Sequence, residues 1–196
     1  MCSEREGSHL SGVKALADWL RGQGLDLSNW GLGKAKSVED LWREITAEDC
    51  SLSPGPTRSV VLAVILIEDK NRLLCEAKQE LRDGRIRLRS KPPREKVRRG
   101  EKIIAGVMRC LEQELRISPD VCRIVSIPER PIRVARESDS YPGLRTVYLE
   151  YWARVAVPNL PREDFCTEES GDPHDPVFRH WWTWVDREAV SLPPSG

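Results

Sequence analysis

The chain lacks any apolar run approaching the roughly 20 residues that a membrane-crossing helix needs. A helical membrane anchor is therefore not expected. Met1 to Ser8 carry Glu4, Arg5 and Glu6 and no apolar stretch, so they read as neither a secretory signal nor an organelle transit peptide. No C-x-x-C pair occurs among the six cysteines, Cys2, Cys50, Cys75, Cys110, Cys122 and Cys166. A chain of 196 residues can also build a core without disulfide staples. Reduced thiols in a cytoplasmic setting are the expectation. His9, His174 and His180 stand at no zinc-ligand spacing with any cysteine. Net charge is missing too, since Lys+Arg and Asp+Glu each number 31. Only local charge clusters can then argue for a nucleic-acid or other charged partner.

What is present has a clear order. Leu10, Val13, Leu16, Ala17 and Leu20 recur at helical spacing, and Gly22 and Gly24 end that segment. Ser37 with Asp40 three residues on reads as a capping box for a second short helix carrying Leu41, Trp42 and Ile45. Two such helices cannot bury a core alone, so residues 1–53 are read as a docked helical extension, with Trp30 as an anchor. Residues 54–57 are read as a linker and 58–196 as the main domain. Val60 to Ile67 form a β-branched apolar run suited to a strand buried on both faces. Arg72 to Glu80 is its expected neighbour, and Asp83-Gly84 signals a hairpin into Arg85 to Arg89. Gly100-Glu101 opens a helix with Ile103, Ile104, Val107, Met108, Leu111 and Leu115 on its apolar side. Strands are expected at residues 121–127, 146–157 and 181–185. Pro158 to Pro176 reads as a loop. The fold class is α/β: a sandwich of helices on a mixed sheet.

Chemistry concentrates between Pro93 and Glu114. Glu101 sits at a helix start, where an anion is favoured. Arg109 and Gln113 share a helix face, and Glu114 lies at the far end. Acids placed this way can hold a hard cation that bridges phosphate oxygens.

This stretch resembles the Nudix box, G-x5-E-x7-R-E-U-x-E-E-x-G-U, in which U is bulky and apolar. Glu101 takes the first acid, Arg109 the arginine, Leu111 the first U, Glu114 the last acid and Ile117 the last U. Glu95 stands at the opening glycine, Cys110 at the acid after the arginine, Gln113 at the first acid of the pair, and Arg116 at the late glycine. The apolar strand and hairpin ahead of the box and the Trp184-Val185 ending extend the resemblance over about 140 residues. The resemblance implies a Nudix-like α/β/α sandwich. It implies Mg²⁺ or Mn²⁺ held by Glu114 with Gln113, catalytic roles for Glu101, Arg109, Gln113, Glu114 and Glu169 (or Glu168), and a nucleoside diphosphate linked to another group as substrate. Loss of two of three helix carboxylates weakens Mg²⁺ binding, because glutamine brings no charge and a thiol is a soft ligand.

Two functions stay open. One is a divergent diphosphate hydrolase. The other is a Nudix-fold module without efficient hydrolysis that binds a nucleotide, RNA or a protein. Arg85, Arg87, Arg89 and Lys96 belong to a basic stretch that can take phosphates of a nucleotide-like small molecule or an RNA backbone. No aromatic residues interleave with it, which counts against single-stranded RNA. The competing reading is a solvated strand face. Trp181, Trp182 and Trp184 offer stacking surfaces, with core burial as their plain role. Cys110 reads as a small apolar residue rather than a reactive thiol.

Overall fold

The computed structural model describes residues 10–171, 175–190 and 192. Met1 to His9, with Cys2, and His174 lie outside them. Two helices come first, α1 (Val13–Gly22) and α2 (Val38–Thr46). Strands β1 (Ser51–Ser53), β2 (Thr57–Leu66), β3 (Glu68–Asp69), β4 (Arg72–Leu81), β5 (Ile86–Lys91) and β6 (Arg94–Lys96) follow. Helix α3 (Ile103–Gln113) separates them from β7 (Arg123–Ser126), β8 (Ile132–Glu137), β9 (Arg145–Ala156), β10 (Phe165–Glu168) and β11 (Val177–Asp186). The class is α/β. One sheet runs β1-β2-β9-β7, with β6 on β2 and β8 on β9; the other runs β10-β11-β4-β3, with β5 on β4. No helix among the described residues is long and apolar enough to cross a membrane.

Contacts divide the chain into two compact units, with boundaries inside β2, β6 and β9. The first comprises Met1–Leu62, Lys96–Glu101 and Ile132–Glu150. The second comprises Ala63–Glu95, Lys102–Pro131 and Tyr151–Gly196.

In the first unit, α2 starts as its sequence dictates. The Asp40 N–H donates to Ser37 Oγ (3.2 Å) and the Ser37 N–H to Asp40 Oδ2 (2.8 Å). Leu16, Leu20, Leu41, Leu52 and Leu144 close a core around Trp30 and Tyr141. Trp30 Nε1 donates to the Pro142 carbonyl at 3.0 Å, so its polar end is satisfied while its ring is buried. Beside this core Glu44 and Arg58 pair out of solvent. Lys36 (2.7 Å) and Lys96 (3.1 Å) also reach Glu44 Oε1. The stretch read as a linker is the turn of a hairpin, with Ser53 opposite Thr57 in β1 and β2.

The second unit departs from expectation most at its C-terminal end. Part of the expected loop is strand β10, because Phe165 to Glu168 complete the edge of β11. The closing strand starts four residues before Trp181, at Val177. The chain leaves helix α3 through a left-handed residue: the Ile117 N–H turns back to the Leu111 carbonyl (2.8 Å), and Arg116 takes φ 60°. That is the position where the box carries glycine. A left-handed L-residue costs about 1–2 kcal/mol, partly offset by glycine's greater chain entropy. Arg116 is exposed, so Arg116→Gly is expected to stabilise the protein by about 0.5–1 kcal/mol, read as a higher urea midpoint.

Candidate functional site

A single sheet face in the second unit gathers the chemistry. Opposed residues on paired strands point the same way, and β11 sets Trp182 opposite Glu76 and His180 opposite Gln79. The register slips by one at Ala77, which brings Glu76 and Gln79 onto one face. Strand β5 adds Arg87, opposite Gln79, and Arg89 two residues on; β10 adds Thr167 opposite His180. The end of α3 is fastened to the same strands. Thr167 Oγ1 donates to the Glu114 carbonyl, and the Ser170 N–H donates to the Gln113 carbonyl at 3.2 Å. Trp182 Nε1 donates to Thr167 Oγ1 at 2.8 Å, locking that hydroxyl.

His180 is the centre. It is 2% exposed, and its ring donates from Nδ1 to Glu76 Oε1 (2.6 Å) and from Nε2 to Glu169 Oε2 (3.0 Å). Glu114 Oε2 lies 3.8 Å from Nδ1. Arg89 Nε donates to the other Glu76 oxygen at 2.9 Å. Glu169 is pinned in turn by the Gly171 N–H at 2.7 Å.

Electrostatics follow from this geometry. Burial opposes the imidazolium, but hydrogen bonds to Glu169 and Glu76 outweigh it and push His180 up to about 10. Burial likewise opposes charge on Glu76, and the bonds from His180 and Arg89 hold it below the usual range. Glu169 is also held low, against burial, by His180 and the Gly171 N–H. Glu114 goes the other way: burial, with Glu76, Glu95 and Glu169 nearby, pushes it well up despite His180.

The residues singled out from sequence fall in several places. Glu114 and Glu169 meet at His180. Gln113 lies at the same helix end, and its side chain packs so closely that a Cβ on Gly171 would come within 2.6 Å of its Oε1. Arg109 Nε donates to Glu95 Oε1 at 3.1 Å. Glu101 belongs to the first unit, where it accepts the Arg98 N–H at 2.8 Å. Lys96 is also in the first unit, bound to Glu44 (3.1 Å) and Asp49 (3.5 Å). Arg85 is exposed and pairs with Asp83 (2.7 Å), and Glu168 pairs with Arg179 (3.0 Å). Cys110 is buried in the core, where burial and then Glu114 push its thiol well up. Sequence reasoning passed over Glu76 and His180. Each left a trace, a lone acid after Leu73-Leu74-Cys75 and a histidine in step with Trp182 and Trp184.

No family model matches the chain, and no curated protein does. Solved structures do. A C. elegans Ap4A hydrolase in a binary complex is 15% identical, with a TM-score of 0.38 over 66% of this chain and 80% of that one. The E. coli dihydroneopterin triphosphate pyrophosphohydrolase is 20% identical, with a TM-score of 0.38 over 65% and 80%. A NUDIX hydrolase from Nitrosomonas europaea is 19% identical, with a TM-score of 0.35 over 64% and 72%. The likeness is to Nudix hydrolases.

Proposed function

We propose that this chain is a Nudix-like module that binds a phosphate-bearing small molecule, a nucleoside diphosphate linked to another group, without the Mg²⁺-dependent hydrolysis of an intact box. The observation that carries the reading is the pair Arg87 and Arg89. They share the face of Glu76 and His180, where Arg87 Nη1 donates to Gln79 Oε1 at 3.3 Å and Arg89 Nε donates to Glu76 Oε2 at 2.9 Å. Two guanidiniums on one sheet face, each with further N–H donors beyond those bonds, are suited to an anion. Arg87 is exposed at the edge of this face, so an anion can reach it.

The donor set argues against Mg²⁺. That ion asks for octahedral oxygen and keeps several waters. Of the three helix positions that carry acids in the box, Cys110 is sealed in the core and Gln113 is neutral. Glu114 has an imidazole for a neighbour, a nitrogen donor that Mg²⁺ does not favour. The catalytic roles of Glu101, Arg109, Gln113 and Glu169 give way in this reading to structural ones. Free thiols at Cys50, Cys75, Cys110, Cys122 and Cys166 fit a cytoplasmic place of work.

The test is a panel of nucleoside diphosphate derivatives, each with Mg²⁺ and with Mn²⁺, beside a Glu114→Gln variant. Ligand-induced thermal stabilisation with no turnover above that variant is expected. Turnover present in the natural chain and lost in Glu114→Gln overturns the reading. Arg87→Ala is expected to weaken the ligand at least about tenfold, since hydrogen bonds to a charged group contribute about 1.5–3 kcal/mol.

A further inference from the structure

We propose that Glu76, Glu114 and His180 form a site for a borderline divalent cation, Zn²⁺, distinct in its ligands from the Mg²⁺ site of helix carboxylates that the Nudix box builds. The proposal stands apart from the ligand reading above, because the cation needs no nucleotide to bind.

One ligand atom from each residue falls within 4.8 Å of the other two. Nδ1 of His180 lies 2.6 Å from Glu76 Oε1 and 3.8 Å from Glu114 Oε2. Tetrahedral bonds of about 2.0–2.2 Å place ligand atoms about 3.3 Å apart, between those two values. Small shifts of the Glu114 side chain close the set, and its place just past the end of α3 leaves it a helix end to move from. A cation at the centre takes the place of the hydrogen on Nδ1.

The surroundings are those of a metal centre rather than a solvated acidic patch. Glu76 is 3% exposed and His180 is 2% exposed. Nε2 is turned onto Glu169 at 3.0 Å, the outer carboxylate that fixes tautomer and ring plane in metal-bound histidines. Glu169 is itself fastened by its own N–H to the Phe178 carbonyl (2.9 Å) and by the Gly171 N–H. Arg89 grips Glu76 Oε2 and leaves Oε1 facing His180. Two carboxylates match the charge of a divalent ion. The imidazole nitrogen shifts preference from Mg²⁺ towards Zn²⁺. Three protein ligands leave a fourth position for water or a ligand oxygen.

The experiment is calorimetric titration of ZnCl₂ into the full chain after chelator treatment, with no nucleotide. Parallel titrations use Glu114→Gln, Glu169→Gln and His180→Gln, each checked for folding by circular dichroism. One equivalent of Zn²⁺ is expected, with binding weakened about 10–100-fold in Glu169→Gln and by more in Glu114→Gln. Excess Mg²⁺ is expected not to displace the ion. Absence of a stoichiometric site overturns the proposal, as does Zn²⁺ binding that is unchanged in both Glu variants and so belongs to cysteines elsewhere. Mg²⁺ displacing Zn²⁺ at equal concentration overturns it too. If His180→Gln fails to fold, the two Glu variants still decide the matter. A missing Zn²⁺ site leaves nucleotide binding in EDTA untouched, so the two readings fail separately.

Discussion

Replacing His180 with alanine is expected to lower the unfolding free energy by about 3–5 kcal/mol, the usual cost of removing one partner from a buried ion pair. His180 joins Glu76 and Glu169 through both ring nitrogens, and all three are largely out of solvent. Without the ring, two carboxylates held in their ionised form lie close to each other and to Glu114, and Arg89 remains as the cation bound to Glu76. Urea unfolding of the metal-free protein reads the loss as a lower midpoint. A combined His180→Leu, Glu169→Gln variant is expected to recover part of it, because one of the two stranded carboxylates becomes neutral while Arg89 still pairs with Glu76. If the single variant unfolds at the natural midpoint, the network is not structural.

Glu44→Ala is expected to cost about as much, about 3–5 kcal/mol, by the same physics with the signs reversed. Arg58, Lys36 and Lys96 all converge on that one carboxylate, and Arg58 is 4% exposed. Burial resists charge on Glu44, yet Lys96, Arg58 and Lys36 together hold it far below its ordinary value of 4.5. A carboxylate depressed in the folded state contributes stability above its unfolded value, and loses it as pH falls towards the folded one. The natural chain is therefore expected to weaken progressively below about pH 4.5. The midpoint difference between it and Glu44→Ala should narrow in the same range. A difference that stays constant down to pH 3 would sink this assignment.

How much of this was legible beforehand follows from the range of each signal. Local signals were readable. The Ser37 and Asp40 capping box, the Asp83-Gly84 turn and the apolar run of β2 each depend on residues only a few apart, and the α/β class follows from their order. The helix of the box was readable for the same reason. The hairpin through Ser53 and Thr57 was not, because Pro54-Gly55-Pro56 signals a turn equally well in a linker and between paired strands. Strand β10 was missed because Asp164 and the prolines around it mask a four-residue edge whose stability comes from β11. The candidate site depends on long-range register. Glu76 and His180 are 104 positions apart and meet through the slip at Ala77, which no spacing in the sequence encodes. Glu114 was readable from the box. What the sequence could not show is that its neighbour is an imidazole. Nor could it show that Glu101 and Lys96 are engaged within the first unit by Arg98, Glu44 and Asp49.

The most direct test of the account is calorimetric titration of ADP-ribose into the full chain in EDTA, repeated with Mg²⁺ and followed for product. The account predicts saturable binding in EDTA, unchanged by Mg²⁺, weakened at least about tenfold by Arg87→Ala, and an intact ligand at the end. Binding that appears only with Mg²⁺ and ends in cleavage of the diphosphate would contradict it.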